Sequence, residues 1–302
     1  MATIVSLVLL SLLAGRSADA QKGEGGSRWA PIRRVFGQKG EIRGRYFRIN
    51  LPRTDLKVRI GDDALSPRFE FTSYVGFIPA GASRVMAMGE LVLRGEEVPA
   101  VLREARRMGV RVSAVHNHLI GENPRIIYVH ILVEGAPQSV ALKLRSVFAK
   151  SATPLAAPRE ERSRVDWSAI DAVLGPHAEA EGRVAAYVFP RREPLSIHGM
   201  VVQSTGAIET ASEVVFQKLG GGRTAVTGEL FVRPGEVDPV VRALDERGLH
   251  ITAVHNHMID DTPRMYWVHW YATGKGTELA RGVAAALMHM NSERRSTSEG
   301  RE

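Results

Sequence analysis

Two five-residue stretches decide the fold: Ala114-Val115-His116-Asn117-His118 and Ala253-Val254-His255-Asn256-His257. They lie 139 residues apart, and the identity spreads from them in both directions. Downstream, Pro124-Arg125 matches Pro263-Arg264 and His130 matches His269. Upstream, Gly89-Glu90-Leu91 matches Gly228-Glu229-Leu230. Arg94 to Ile131 therefore aligns with Arg233 to Trp270 without a gap. Further back, with small shifts, Trp29, Val35 and Gly37 answer Trp167, Val173 and Gly175, and Pro52-Arg53 answers Pro190-Arg191. A period this long marks a duplicated domain, since stacked solenoid repeats are far shorter.

The order of elements inside one unit follows from periodicity. In the second copy, 166–174 reads as a short helix, 184–189 and 195–203 as strands, and 213–218 and 223–232 as two more. Helical spacing then covers 236–247 and ends at Gly248. Residues 250–257 and 264–271 read as two further strands, and 277–289 as a closing helix. The first copy repeats the pattern with a helix over 97–108, strands over 111–118 and 125–133, and a helix over 138–149. Each unit is thus predicted to be α+β, an antiparallel-rich sheet with helices packed on one face. The expected organisation is a first repeat over 29–150, a linker over 151–166, a second repeat over 167–290 and a polar tail over 291–302. The linker is rich in Ala, Pro, Glu and Arg without apolar periodicity, so it reads as exposed; the tail reads as frayed.

The strand assignment carries the chemistry. Side chains alternate across a strand, so His116 and His118 leave one face and Asn117 the other. If the hairpin is centred near Asn123, His130 stands opposite His116, and three imidazoles converge. The second copy places His255, His257 and His269 alike. Three neutral imidazoles are a ligand set for a divalent transition metal, zinc first. Glu90 and Glu229, on a strand expected beside the hairpin, either complete the coordination or act as general bases. Arg125 and Arg264 begin the return strands; each either holds an anionic group or pairs with a nearby acid. A histidine cluster bonded to substrate or backbone is the alternative to the metal.

Composition narrows the classes. The apolar stretch Ile4 to Leu13 followed by Ala18-Asp19-Ala20 reads as a signal peptide over 1–20, too short for a permanent membrane span. No other apolar run suggests a transmembrane anchor. With no cysteine, disulfides, thiolate metal sites and cysteine nucleophiles are excluded. The net charge of +7 suits anionic partners in the cell envelope. The charges form no basic stripe with interleaved aromatics, so nucleic acid is not an expected partner.

The residues shared by the two copies, Gly-Glu-Leu, then Ala-Val-His-Asn-His, Pro-Arg and His, resemble the LppY/LpqO family, a domain of unknown function. The resemblance covers nearly the whole mature chain and implies an exported bacterial envelope protein without supplying a reaction. The namesakes are lipoproteins. This chain lacks the cysteine for acylation, so a secreted or periplasmic form is expected. Two functions follow: a metal-dependent hydrolase with one site per repeat, or a non-catalytic envelope module binding a small or anionic ligand.

Overall fold

A computed structural model describes residues 28–157 and 161–293. The expected signal peptide over 1–20 lies outside the described residues, as does all but the start of the expected tail over 291–302.

The first repeat opens with a helix covering 28–36 (α1). It continues through β1 (Glu41–Arg43), β2 (Tyr46–Pro52), β3 (Arg59–Ile60), β4 (Asp63–Ala64), α2 (Pro67–Glu70), β5 (Thr72–Pro79) and β6 (Val85–Arg94). It closes with α3 (Val98–Met108), β7 (Arg111–His116), β8 (Glu122–Asn123), β9 (Ile126–Gly135) and α4 (Pro137–Phe148). The second repeat runs α5 (Ser168–Leu174), β10 (Glu179–Glu181), β11 (Val184–Pro190), β12 (Leu195–Ile197), β13 (Met200–Val202), β14 (Ala211–Lys218) and β15 (Thr224–Val232). It ends with α6 (Val237–Asp245), β16 (His250–His255), β17 (Asp261–Thr262), β18 (Tyr266–Gly274) and α7 (Gly276–Leu287).

Each repeat forms a six-stranded antiparallel sheet, in the orders β1-β2-β5-β6-β9-β7 and β10-β11-β14-β15-β18-β16. This is the α+β architecture that the periodicity predicts, in two copies. Alternation along the strands assigns the faces. On β6, Val85, Ala87, Leu91 and Leu93 join the core under α1, α3 and α4, together with Trp29, Ile32, Val101, Leu144 and Phe148. The residues between them, Met86, Met88 and Val92, pack against the other repeat instead. The second sheet does the same, its helix-side core built on Trp167, Ile170, Leu244 and Val283. The layers are therefore helices, sheet, sheet, helices.

Two mixed cores hold the sheets together, as burial of apolar area from both sides would. One joins Tyr46, Ile78 and Met86 to Ile197, Ile208 and Met265. The other joins Phe69, Phe71 and Ile126 to Val184, Val215 and Leu219. Gly76 lets the repeats meet: a Cβ there would collide with the Ala207 carbonyl oxygen and the Ile208 side chain. The glycine of each Gly-Glu-Leu motif has a different reason. A Cβ on Gly89 or Gly228 would strike the backbone oxygen of Tyr74 or Glu213 on the neighbouring strand.

Four expectations are corrected. The stretch 195–203 is not one strand; His198 and Gly199 take positive φ and fold it into the β12–β13 hairpin. The strands through the His-Asn-His motifs stop at His116 and His255, because Asn117 and Asn256 turn the chain by donating to the carbonyls of Leu119 and Met258. The linker is not wholly exposed: Thr153 is buried, Leu155 packs on the first core and its carbonyl accepts from Gln38. The first tail residues are held, with Asn291 donating to Glu236 and Glu193 and Glu293 donating to the Pro190 carbonyl.

The Pro-Arg pairs upstream are buried clamps. The Arg53 side chain is fully buried and bonds Asp55, Glu97 and the Val92 carbonyl. Arg191 does the same with Glu193, Glu236 and the Phe231 carbonyl. Removing one partner of such a pair leaves a buried charge exposed to nothing that solvates it. Arg53→Ala is expected to cost about 3–5 kcal/mol, and Gly76→Ala about 1–3 kcal/mol by overpacking the inter-repeat contact. Gly95→Ala, where nothing approaches the added Cβ, should stay within about 0.5 kcal/mol. Urea unfolding midpoints compare the three, and a silent Gly76→Ala would contradict the close approach.

Candidate metal centre between the repeats

The six motif histidines meet in one place. β6 pairs Glu90 with His130, and β15 pairs Glu229 with His269, so each glutamate projects into the inter-sheet layer beside a histidine. The expected register is shifted: His130 stands opposite Ala114, and His116 opposite Tyr128, with an irregularity between Val112 and Ala114. The second repeat has the same shift, His269 opposite Ala253 and His255 opposite Trp267. The rings still converge, 5.0 Å between the centroids of His116 and both His118 and His130.

The expectation of one separate site per repeat is also corrected. The shortest contacts between histidine rings cross between repeats: His116 with His255 at 3.6 Å, His118 with His269 at 3.9 Å and His130 with His257 at 3.7 Å. Exchanging each residue for its counterpart maps the first pair onto itself and the second onto the third. That is the signature of an isologous, two-fold interface. Tyr128 and Trp267, themselves counterparts, cap the cluster by stacking on His118 and His257 at 3.6 and 3.9 Å. Asn117 donates to the Thr252 carbonyl, and the Thr252 hydroxyl to the His118 carbonyl, which ties the two motif loops together.

The second nitrogen of several rings is engaged at its back. Nδ1 of His116 and His255 faces the carbonyl of the following asparagine, at 3.3 and 3.4 Å. Nδ1 of His118 lies 2.5 Å from Glu70, and Nδ1 of His257 lies 3.5 Å from Glu209. A ring held by Nδ1 presents Nε2 as a lone pair, which is how carboxylates and carbonyls orient metal-binding histidines. All six Nε2 atoms are buried without a hydrogen-bond partner among the described residues. Glu90 Oε2 lies 2.9 Å from Nε2 of His130 and 3.3 Å from that of His118, within ion-pair range but without hydrogen-bond geometry. Glu229 stands further off, 3.9 Å from His257 and 4.0 Å from His269.

Ligand atoms of Glu90, His116, His118, His130 and His257 all lie within 4.8 Å of one another. So do those of His118, His255, His257 and His269, and those of Glu209, Glu229 and His257. These buried groups could hold a metal ion, and every grouping either mixes the repeats or shares His257.

Electrostatics divides the cluster. Burial pushes His116, His130, His257 and His269 below the ordinary imidazole range, and His255 down to about 3. Burial acts on His118 too, but the Glu90 and Glu70 carboxylates outweigh it and push it up to about 10. Burial would raise Glu90, and the neighbouring His118 and His130 instead hold it well below the carboxylate range. Glu209 and Glu229 go the other way, raised by burial and by the charge of nearby glutamates.

The chain belongs to a family. The model described as Domain of Unknown Function (DUF1259) matches residues 30–150 and again 168–289. No curated protein matches the chain. Among solved structures, it is similar to a trimeric bacterial microcompartment shell protein, PduB, at 10% identity over 83% of this chain and 93% of that one. The TM-score of that likeness is 0.20, too low to support any argument about fold or function.

Within the family domain the structure sorts the expected residues. His116, His118, His130, His255, His257, His269, Glu90 and Glu229 come together. Arg125 and Arg264 are half-exposed and paired with the acid three residues before them, Glu122 at 3.5 Å and Asp261 at 3.0 Å. The acid-pairing alternative therefore describes both. The cis prolines Pro124 and Pro263 precede them in the turn. Glu70 and Glu209 escaped the sequence reading. They obey the same 139-residue offset, so carrying the gapless alignment back beyond the Gly-Glu-Leu motif would have found them. Glu209 has a positive φ of 51°, a costly conformation for a glutamate, and its loop is bolted by Thr210, whose hydroxyl donates to the Gln203 carbonyl and accepts from the Thr205 amide.

In metal-free protein, His118 should titrate near pH 10 by NMR, and Glu90→Gln should lower that value by about a unit or more. Because the folded pKa lies above the ordinary one, this group's stabilisation is complete below about pH 6.5 and is lost as pH rises through about 10. A His118 that titrates near pH 6.5 would show that the Glu90 and Glu70 contacts are not made.

Proposed function

We propose that the chain is an exported metal-binding protein whose single centre is assembled by both repeats, and that the centre serves a metal-dependent hydrolase. The observation that carries this reading is the set of six buried Nε2 atoms with no hydrogen-bond partner among the described residues, on rings gathered into one cluster with overlapping groups of candidate ligands. Unsatisfied buried polar atoms are costly, and six together are hard to reconcile with a purely structural role. Imidazole nitrogen with carboxylate oxygen and no thiolate suits zinc among the divalent transition metals.

His116, His118, His130, His255, His257 and His269 would supply nitrogen ligands, with Glu90 or Glu229 completing the set. Glu70 and Glu209 hold the rings of His118 and His257 from behind. A bound dication would supply Lewis acidity and remove the reason for Glu209 and Glu229 to keep their protons. Glu90 or Glu229, whichever is not a ligand, is placed to take a proton at Oε2 from a group reacting in the cluster. Export rests on the 1–20 segment and on the resemblance to the LppY/LpqO family carried by the Gly-Glu-Leu, His-Asn-His and Pro-Arg residues. No helix of the described residues is long and apolar enough to cross a membrane.

Elemental analysis of tag-free mature protein tests the centre. The expectation is about one or two equivalents of transition metal, since the ligands form at most overlapping sets of four or so. A His116→Ala/His255→Ala double variant should lose most of it, and His257→Ala alone should weaken it, because His257 belongs to every grouping. Protein that takes up no zinc, manganese or iron would overturn the metal. Metal retained without turnover of ester, phosphoester or amide substrates would leave a non-catalytic binding module.

A further inference from the structure

Two clefts reach the cluster, one to His130 and His257 beside Arg111 and His198 and the other to His118 beside Arg48, and the second breaks the two-fold shell. That cleft leads from solvent between β2, α2 and β5 of the first repeat and β10, β11 and β14 of the second. Its outer part is lined by Arg43, Arg48 and Arg68. Its inner part, a cavity of about 80 Å³, keeps Arg48 and Arg68 and reaches His118, Glu90, Glu209 and Glu229. Here the repeats differ in kind. Arg48 pairs with Gly76, and Asn50 with Tyr74, across β2 and β5. The same places on β11 and β14 hold Ala186 with Val215 and Val188 with Glu213. The arginine therefore has no counterpart.

Its partners are unusual for a buried cation. Arg43 is paired with Glu41 and Glu179, and Arg68 with Glu181. Arg48 is 9% exposed, yet it makes no ion pair among the described residues. Its Nε donates to Asn50 Oδ1 at 2.7 Å and its Nη1 to the Gly206 carbonyl at 2.6 Å. The guanidinium carbon lies 3.7 Å from the centre of the Tyr74 ring. A guanidinium held on two sides by neutral acceptors and backed by an aromatic ring is immobilised, with Nη2 left for a further acceptor. Buried charges are ordinarily paired, and a carboxylate or phosphate oxygen matches that need.

We infer that this cleft admits a small anionic molecule, bearing a carboxylate or a phosphate, and that Arg48 binds its anionic group beside the metal centre. The inference rests on the metal reading, because an anion brought near Glu209, Glu213 and Glu229 needs the ion's positive charge. It also makes the working site one-sided, although its shell is two-fold. A purely structural Arg48, serving as counter-charge to Glu209 and Glu213, would change stability and leave anion affinity alone.

The test is calorimetric titration of zinc-loaded, tag-free mature protein with inorganic phosphate and with acetate at fixed ionic strength. Zinc content and melting temperature are measured on every sample. Wild type should bind at least one of the two anions. Arg48→Met should weaken that binding about tenfold or more with zinc content unchanged, and Arg48→Lys, a point charge without the fork, should fall between. If Arg48→Met does not fold, the Lys variant decides, and affinity equal to wild type counts against the role. A response to phosphate alone assigns a phosphoryl-bearing ligand, and one to acetate alone a carboxylate. Zinc bound at full content with no anion binding, or with binding indifferent to residue 48, overturns the inference and leaves the metal centre standing. Protein that holds no zinc overturns the metal reading, and the anion site falls with it.

Discussion

Burying six imidazoles and four carboxylates between two sheets is the constraint around which this molecule is arranged. Each polar group removed from water must find a partner or remain a standing cost. The motif asparagines turn the chain so that their own carbonyls face Nδ1 of His116 and His255, Glu70 bonds Nδ1 of His118, and Glu209 stands 3.5 Å from Nδ1 of His257. What is left over, among the described residues, is Nε2 of every ring together with Nδ1 of His257 and His269. The apolar cores on either side, around Ile208 and around Phe71, supply the burial that keeps water from relieving the cost. Helices, sheets and mixed cores all serve to hold that polar layer closed.

The two halves of the layer are not electrically alike. Glu90 lies 3.3 and 2.9 Å from His118 and His130, which hold it toward its ionised form. Glu229 stands about an ångström further from its two histidines, and it and Glu209 are raised toward their neutral forms. The sequence differences that accompany this lie one strand away, at Tyr74 against Glu213, and two strands away, at Arg48 against Ala186. Symmetry is kept in the histidines and broken in what surrounds them, so the two sides of one inherited cluster meet different surroundings.

Much of this was legible before any coordinates. The 139-residue identity located the repeats, strand alternation put His116 and His118 on one face, and the paired His-x-His spacing named the cluster. Other features were not legible, for reasons specific to certain residues. The bulge beside Ser113 and the turn made by Asn117 moved the register by two, and neither leaves a mark in hydrophobic periodicity. Glu70 sits on a four-residue helix and Glu209 on a strained loop, so no strand parity pointed at them. The largest misreading was treating each histidine triad as self-contained. Periodicity says which face of a sheet is polar; it cannot say that two such faces are pressed together.

The cross-repeat ring pairs have a consequence for how the centre assembles. A two-fold site of this kind is ordinarily the property of a homodimer, whose ligand shell comes apart on dilution. Here the 151–166 segment joins the halves covalently, so their meeting is an intramolecular event at an effective concentration set by the tether. However dilute the protein, each chain keeps its cluster without having to find a second molecule.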